Sequence, residues 1–413
     1  MIPKRALAAL RSIINAIEGL LQRAAARDGG SGGVSDRHLD PQPFGANLSG
    51  YFTGRFGIAA SSRAFANALK LAGIPHVLNN LVAPSHGERV PFPERFSKEN
   101  PYAINLIHAN VDMTEWFLRK MGRKYFRNKY NIGIWYWEVS GFPERLRPAF
   151  GPYDEIWVTS SFTAGALSRV SPIPVVKVPY PLYLNEGLIE DRPRRLLGLP
   201  DDAFIFLFMF DFQSVFERKN PLAVLEAFRR AFGGGGEAML VINCINSKAD
   251  PPSHRALMRS ASGLNARIID GHLSDKSYLN LLSACDCYIS LHRSEGFGLI
   301  MAEAMYLGKP VIATGYSGNM DFMNGDNSLL VRYDLVELER DYGPYEKGNV
   351  WAEPDVGHAA ELMRWVYENG DEVEGIGRRA SEDVRRLMDP LAASREIRER
   401  LEHAYRGFCG GAR

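Results

Sequence analysis

The chain has 413 residues, of which 46% are hydrophobic and 23% charged, a composition typical of soluble globular proteins. Its formal net charge of +1 argues against nucleic acid as a partner, because proteins that bind phosphate backbones are usually basic. Four cysteines are too few for a disulfide scaffold and show no metal-ligand spacing, so a reducing, cytoplasmic location is expected.

Residues 1–27 are predicted to form a basic amphipathic helix. Its apolar stripe is Ile2, Leu7, Leu10, Ile14, Ile17 and Leu21, and the cations Lys4, Arg5, Arg11 and Arg23 lie mostly off it. The interrupted apolar stretch lacks a cleavage site, which argues against a signal peptide. The helix suits an anionic membrane surface, but docking on the protein itself or on a partner fits equally well. A flexible linker rich in glycine, serine and proline follows at residues 28–45.

Short apolar runs alternate with amphipathic stretches from residue 46 onward, which predicts an α/β protein with parallel sheets. The first series of strands is expected at residues 104–107, 131–137, 155–159 and 175–178. The second is expected at residues 203–210, 239–243, 266–269, 287–290, 311–314 and 329–331. The proline-rich stretch 179–200 separates the two series.

This division predicts two doubly wound, Rossmann-like domains at residues 46–185 and 186–389, followed by a helix and tail at 390–413. Two domains also agree with the length, since a single hydrophobic core rarely organises so many residues. Domains of this type bind ligands at the carboxyl ends of their strands, so the site is expected in a cleft between the domains.

The strongest chemical signal is the segment SEGFGLIMAE at residues 294–303. Glu295 follows a predicted strand in a glycine-rich turn, and Glu303 falls in the second turn of a helix expected to begin near Leu299. Gly298 allows close backbone approach to a ligand, and N–H groups at the helix start favour an anion. In this strand–turn–helix context the two carboxylates indicate a binding site rather than ordinary surface residues.

A second cluster lies in FERKNP, residues 216–221. Asn220 suits a helix N-cap and Pro221 suits the first helical position. Arg218 and Lys219 are therefore predicted to stand at a helix N-terminus, where a diphosphate would meet two cations. A solvated basic pair beside a cap is the alternative.

Further candidates occupy predicted strand ends and a turn in the first half of the chain. Gly57 belongs to a GxxG turn before a helix, a weak signal by itself. His108 and Asn110 follow one predicted strand, and Glu138 follows another. A lone histidine is more often structural than functional, so His108 is the least specific of these.

The segments SEGFGL and AEAMYLGKPVIAT around Glu295 and Glu303 resemble the retaining glycosyltransferases of family 4, the bacterial group 1 enzymes with the GT-B fold. The resemblance spans roughly residues 47–385. It implies that Glu295 faces the donor sugar, that Glu303 holds the ribose hydroxyls, and that the backbone of Gly298 and Leu299 meets the diphosphate.

The same resemblance implies that Lys219 and Arg218 neutralise the departing diphosphate. It also implies that Ser214 and Phe297 belong to the donor-binding group, that His272 lies near the nucleotide base, and that the loop with Gly57 faces the diphosphate and the acceptor. His108, Asn110 and Glu138 are acceptor or cleft candidates because they follow predicted strands. Two departures stand out. Gln213 and Ser214 occupy the region where many members have the arginine, and Trp137–Glu138 occurs where a histidine is common, which leaves the general base unassigned.

The expected activity is metal-independent transfer, with retention, of a hexose-type sugar from a UDP- or GDP-linked donor. The acceptor is expected to be a glycan or a lipid-linked glycan of cell-surface polysaccharide synthesis. No cofactor or metal is expected, because no DxD motif follows a suitable strand. A non-catalytic nucleotide-sugar-binding subunit and a sugar-nucleotide epimerase of the same fold are the alternatives. The location is the cytoplasm, with peripheral attachment to the cytoplasmic face of the membrane left open.

Overall fold

The computed structural model describes residues 42–82, 90–236 and 238–410. The predicted amphipathic helix at 1–27, its membrane role and nearly all of the linker lie outside these residues. Two six-stranded parallel sheets organise the described chain, one in each half, and a two-stranded antiparallel ribbon accompanies the second. In the described part of the chain, no helix is both long enough and apolar enough to cross a membrane.

The first sheet has the strand order β2-β1-β3-β4-β5-β6. Its strands are β1 (Ala46–Gly50), β2 (His76–Asn80), β3 (Ile104–Ile107), β4 (Tyr130–Ile134), β5 (Glu155–Val158) and β6 (Val175–Lys177). The helices between them are α1 (Gly57–Leu71), α2 (Thr114–Met121), α3 (Arg123–Phe126) and α4 (Ser161–Ser168). Strands β3 and β5 are buried at every residue, as expected for a parallel sheet covered on both faces.

The second sheet has the order β12-β11-β10-β7-β8-β9. Its strands are β7 (Phe204–Asp211), β8 (Ala238–Ile245), β9 (Ala266–Asp270), β10 (Cys287–Ser290), β11 (Val311–Thr314) and β12 (Leu329–Val331). The helices are α5 (Pro193–Leu196), α6 (Phe216–Lys219), α7 (Pro221–Phe232), α8 (Pro251–Ala261), α9 (Asp275–Ala284), α10 (Leu299–Tyr306), α11 (Val356–Glu368) and α12 (Gly370–Leu387).

Two features of the first half differ from the sequence prediction. Strands β1 and β2 were not predicted, although β1 is fully buried and lies between β2 and β3. The strand predicted at 131–137 ends at Ile134, so the chain leaves the sheet before Trp135. The segment around Glu138 is thereby a loop at the carboxyl edge of the sheet.

The proline-rich stretch between the sheets is not a loose linker throughout. Tyr180, Leu182 and Leu184 are buried in a hydrophobic cluster with residues of the second sheet, such as Leu207 and Val241. The connection therefore packs as part of the second domain's core.

An antiparallel ribbon, β13 (Tyr333–Glu337) with β14 (Val350–Pro354), carries a loop at residues 338–349 that we call the clasp loop. Leu338 and Tyr345 of this loop are buried in a cluster with Trp137 of the first half. Asn349 accepts a hydrogen bond from the backbone N–H of Gly141, with a separation of 2.9 Å. The second domain thus reaches across to the first through this loop.

The last helix, α13 (Pro390–Gly410), returns to the first domain. Its Ile397 and Leu401 are fully buried in the cluster that contains Leu48 of β1. Arg400 forms a two-pronged ion pair with Glu155, a carboxylate with no solvent exposure on β5. Both helix packing and a buried ion pair therefore tie the end of the chain to the first sheet.

Candidate active site

The carboxyl ends of both sheets face a cleft with a volume of about 940 Å³, large enough for a nucleotide-sugar. Glu295, Glu303, Arg218 and Lys219 all line it. Glu295 and Glu303 lie 76 or more residues after Arg218 and Lys219 in the chain. The fold of the parallel sheet brings all four to the same cleft.

Three of these residues form one buried charge cluster. The Lys219 ammonium donates a hydrogen bond to Oε1 of Glu295, and Arg218 Nη1 lies 3.2 Å from Oε2. Burial alone would raise the pKa of Glu295, but Lys219 and Arg218 outweigh it and lower the pKa to about 2. Glu295 is therefore an anion at every physiological pH, and its single negative charge offsets one of the two positive charges.

The local structure around the cations differs from the prediction. Arg218 and Lys219 end the short helix α6 instead of opening α7, because Asn220 adopts a left-handed conformation, with φ of 55°, between the two helices. Asn220 occupies the predicted N-cap position, but its side chain makes no capping hydrogen bond. Asparagine tolerates this conformation better than most residues, so it serves the chain reversal before Pro221.

Arg218 is the most enclosed of the three charged groups, with 4% of its surface exposed. Its Nη1 donates to the carbonyl of Ser294 over 2.7 Å, directly beside Glu295. Its backbone carbonyl accepts from the N–H of Arg293 at 2.8 Å. The loop that carries Arg218 is thus fastened to the loop that carries Glu295 through both main chain and side chain.

The WAEPD segment at 351–355, for which the sequence suggested no role, supports this arrangement. Arg293 donates to the carbonyl of Glu217 over 2.7 Å and pairs with the carboxylate of Glu353 through two hydrogen bonds of 2.6 and 2.9 Å. Its guanidinium lies 5.3 Å from the Trp351 ring centroid. Glu353 and Trp351 therefore fix Arg293, which in turn holds the end of the Arg218 loop.

Two glycines shape the turn that presents Glu295. Gly298 has a φ of 97°, and a Cβ there would lie 2.6 Å from Met301 Cε. Gly318, which the sequence analysis did not single out, donates its N–H to the carbonyl of Glu295, and a Cβ there would lie 2.4 Å from the carbonyl oxygen of Gly296. A side chain at Gly318 would clash with the backbone of the turn, and a side chain at Gly298 would be strained by the positive φ.

Glu303 lies in α10 with 7% of its surface exposed and has a different environment. The Tyr278 hydroxyl donates to its Oε2, and Arg63 of the first domain exerts a weaker attraction. Desolvation outweighs both and raises the pKa of Glu303 to about 7. The carboxyl group therefore changes its charge near neutral pH.

The remaining donor candidates all line the cleft, but one of them is largely buried in the core. Leu299, Ser214 and His272 line the cleft, as does Phe297. The Phe297 ring, however, is 6% exposed and stacks on Tyr180, with 4.9 Å between ring centroids. Its side chain belongs mainly to the core below the cleft.

On the opposite wall, Gly57, Asn110 and Glu138 line the cleft. A Cβ at Gly57 would meet no heavy atom within 4 Å, so packing within the chain does not require glycine there. Asn110 accepts a hydrogen bond of 2.9 Å from the N–H of Tyr136. Glu138 is half-buried, and its Oε2 accepts from the hydroxyl of Tyr345 in the clasp loop at 2.8 Å.

His108 does not line the cleft. It is fully buried, its ring lies behind Tyr136 at 5.8 Å between centroids, and its Nδ1 is 3.2 Å from Ser62 Oγ. Burial lowers its pKa to about 3, so the imidazole is neutral. This environment agrees with the structural interpretation of a lone histidine rather than with contact to a ligand.

Sequence reasoning missed two tyrosines that contact carboxylates of the site: Tyr278, which lines the cleft, and Tyr345, which lies in the clasp loop. Each donates to a carboxylate that the sequence did identify, across 25 and 207 residues respectively. Of the two, only Tyr278 lies near a feature that the sequence shows locally, the helix N-cap Ser274 at the start of α9.

Comparison with known proteins agrees with this geometry. Residues 191–383 match the model of the family described as glycosyl transferases group 1. A comparison with curated proteins gives no match.

Solved structures resemble nearly the whole described chain. Sucrose-phosphate synthase from Thermosynechococcus elongatus superposes with a TM-score of 0.63 at 16% identity, covering 88% of this chain and 100% of that one. HepE from Anabaena, solved with UDP and glucose, gives 0.61 at 12% identity over 87% and 100%. A glycosyltransferase from Rickettsia africae gives 0.60 at 15% identity over 88% and 98%.

The two sheets and their cleft are therefore the GT-B fold, as the family resemblance implied. Glu295, Glu303, Arg218 and Lys219 all lie inside residues 191–383, which match the group 1 glycosyltransferase model. Membership of family 4 in particular stays a prediction.

Proposed function

We propose that this protein is a retaining, metal-independent glycosyltransferase that takes a hexose-type sugar from a UDP- or GDP-linked donor. The observation that carries the proposal is the buried cluster of Glu295 with Lys219 and Arg218 at the floor of the cleft. Burying charged groups is costly even when they are paired, and strongly perturbed groups in a cleft mark candidate active sites.

In this proposal the cluster serves the departing diphosphate. Lys219 has three N–H donors and uses one on Glu295, which leaves others for phosphate oxygens. The N–H groups at the start of α10, next to Gly298, add to the positive potential. Together these groups would stabilise the charge that develops as the bond between the anomeric carbon and the phosphate oxygen breaks.

The acceptor hydroxyl would then attack the anomeric carbon from the face that the diphosphate leaves, so the configuration is retained. A bond forms between the acceptor oxygen and the anomeric carbon, and the hydroxyl proton passes to an oxygen of the departing diphosphate. The cleft wall with Gly57, Asn110 and Glu138 would bind the acceptor, and we call it the acceptor wall. On it, the carboxylate of Glu138 can accept a hydrogen bond from another acceptor hydroxyl. The acceptor class, a glycan or a lipid-linked glycan, follows from the family resemblance alone.

Donor binding is the first test, because it does not require the acceptor. A screen of UDP- and GDP-sugars by thermal unfolding should show stabilisation by one nucleotide class, about 2.7 kcal/mol at a hundredfold excess over Kd. The variant Lys219→Met should lose most of this stabilisation, whereas Lys70→Met, at an exposed lysine on α1, should keep it. No stabilisation by any sugar nucleotide would refute the proposal.

Turnover separates the proposal from its alternatives. With the stabilising donor and a panel of sugar acceptors, the anomeric proton of the product should show the donor's own configuration, and a chelator should leave the rate unchanged. Donor binding without turnover on any acceptor would favour a binding subunit. Conversion of the donor without an acceptor into an epimeric sugar would favour the epimerase.

A further inference from the structure

The turn that presents Glu295 belongs to the second domain but is held on both sides by the first. Before Glu295, the hydroxyl of Ser294 donates to the carbonyl of Glu138. After it, the carbonyl of Gly296 accepts from the hydroxyl of Ser160 over 2.6 Å. The backbone of Glu295 is thus fixed between two contacts with the first domain, one on each neighbouring residue.

The first domain contributes the N-terminus of α4 to this contact. Ser160 is the N-cap of α4, and its Oγ accepts from the N–H of Thr163 at 3.2 Å. The second domain binds the N–H of Ser161, because Asp321 accepts from it at 2.9 and 3.0 Å and from the Ser161 hydroxyl at 3.0 Å. A carboxylate is favourable here, since the first N–H groups of a helix lack partners within it. Asp321 therefore caps a helix of the other domain.

The segment that carries Asp321 also supports Glu295. Asp321 ends the short helical turn Gly318–Asp321, and the N–H of Gly318 donates to the Glu295 carbonyl at 2.9 Å. Ser317 Oγ accepts from the N–H of Glu295 at 2.8 Å. Lys177 forms an ion pair with Asp321, but the lysine side chain is half exposed, so the pair adds little. The cap on α4 and the support of Glu295 are thus parts of one hydrogen-bonded segment.

Close packing accompanies these hydrogen bonds at the boundary between α4 and the second domain. Phe162, in the first turn of α4, meets Tyr316 edge to face, with 5.4 Å between ring centroids. A Cβ at Gly296 would lie 3.4 Å from the carbonyl oxygen of Trp137, so the backbone of the turn also touches the first domain. A shift of α4 would therefore disturb the turn through several contacts at once.

We propose that Asp321 is a positioning residue for Glu295. Its carboxylate holds the N-terminus of α4 against the second domain and so keeps Ser160 on the carbonyl of Gly296. A purely local helix cap would bind Ser161 in the same way but would have no effect on the Glu295 turn. The catalytic part of this inference rests on the proposed glycosyltransferase function, whereas the coupling between Asp321 and the turn does not.

Kinetics test the catalytic part. Asp321→Ala removes every bond from this side chain to α4, and we expect kcat to fall about tenfold, the effect of one hydrogen bond to a charged group. The donor Kd should change less than about twofold, because Lys219 and Glu303, the charged donor contacts, lie in the second domain. Asp321→Asn keeps an oxygen that can accept from the Ser161 N–H and should lower kcat only about threefold. Asp326→Ala, at an exposed aspartate of the same domain, is the matched control.

Hydrogen exchange followed by mass spectrometry tests the coupling without any substrate. In Asp321→Ala, the amides at the start of α4 and those of residues 292–298 around Glu295 should all exchange about tenfold faster, because both segments lose a contact that limits local opening. Asp326→Ala should exchange like the unaltered chain. Thermal unfolding checks that the variants are folded, and Asp321→Asn takes the place of Asp321→Ala if the latter is not.

The outcomes separate this inference from the proposed function. Faster exchange confined to α4, with residues 292–298 unchanged, would reduce Asp321 to a local helix cap and overturn the inference. A kcat equal to that of Asp326→Ala would overturn it as well, and so would a rise in donor Kd as large as the fall in kcat. If the unaltered chain shows no turnover but exchange responds in both segments, the proposed function fails and the coupling between Asp321 and the Glu295 turn stands.

Discussion

Glu295 and Glu303 are eight residues apart in one turn and helix, and both are more than nine-tenths buried, yet their pKa values move in opposite directions. The pKa of Glu295 is lowered to about 2 and that of Glu303 is raised to about 7. Burial alone would raise the pKa of both carboxyl groups. The difference comes from their partners, because Glu295 touches two cations whereas Glu303 receives a neutral hydroxyl.

The comparison shows how one binding loop can present two kinds of carboxylate. At the Glu295 end the charge is permanent and is balanced within the protein before any ligand arrives. The charge of Glu303 depends on pH and on the bound ligand. A ligand that donates hydrogen bonds to the carboxylate lowers its pKa and so favours the ionised form. The following experiments test this contrast, beginning with the largest expected effect.

The Glu295 end should be the more sensitive to mutation. Lys219→Met removes a cation that would stabilise the leaving diphosphate, and Glu295→Gln removes the charge that balances the cations. We expect kcat to fall by roughly 10²–10³ for each, as for the loss of one electrostatic stabiliser in other active sites. Lys70→Met and Glu382→Gln, at exposed positions, should be neutral. Activity within about threefold of the parent in both site variants would remove the catalytic assignment.

The Glu303 end should control how donor affinity varies with pH. In the proposed site, ribose hydroxyls would donate to the ionised carboxylate of Glu303, so below pH 7 this group must first lose a proton and the donor Kd should rise about tenfold per pH unit. Above pH 7 the affinity should level off. Calorimetric titration with an intact sugar nucleotide suits this measurement, since its diphosphate has no ionisation near neutrality.

Glu303→Gln should abolish this dependence and weaken binding about tenfold at pH 8, the cost of a hydrogen bond to a charged acceptor. Glu361→Gln, at an exposed residue of α11, should retain the pH dependence of the unaltered chain. A wild-type Kd that is constant between pH 6 and pH 8 would contradict the role assigned to Glu303 and the contrast with Glu295.

The smallest effect should occur on the acceptor wall. Tyr345→Phe removes the hydrogen bond that orients Glu138 and keeps the ring that packs against Trp137. We expect kcat/KM for the acceptor to fall about fivefold, the effect of one hydrogen bond, with donor Kd unchanged. Tyr342→Phe, in the same clasp loop, is the matched control. A change in donor Kd instead would place Tyr345 with the donor site.

The sequence predicted that Glu295, Glu303, Arg218 and Lys219 face one cleft, because the signals around them are local. A strand, a glycine-rich turn and a helix start place Glu295 and Glu303, and the run RKNP places Arg218 and Lys219. The exact fold of that run was less predictable, since the left-handed Asn220 and the separate helix α6 depend on contacts of Arg218 with the distant residues Arg293 and Ser294.

The opposite wall of the cleft, which we propose binds the acceptor, was less predictable because its contacts join residues far apart in the sequence. Glu138 was found from its position after a strand, but its hydrogen bond to Tyr345 joins residues 207 positions apart. His108 had the same kind of signal and lies behind the cleft wall, because Tyr136 covers it. Strands β1 and β2 were not predicted, because glycine, asparagine and serine interrupt their apolar runs.

The ion pair between Glu155 and Arg400 has a consequence for how this protein can be recombined with its relatives. The first domain is completed by α13, which follows the second domain in the chain, so a chimaera that exchanges the two halves at residue 185 would separate the partners. A carboxylate with no solvent exposure would then lack its cation, at a cost of roughly 3–5 kcal/mol. A functional chimaera with an exchanged second domain therefore needs α13 and β5 from the same parent protein.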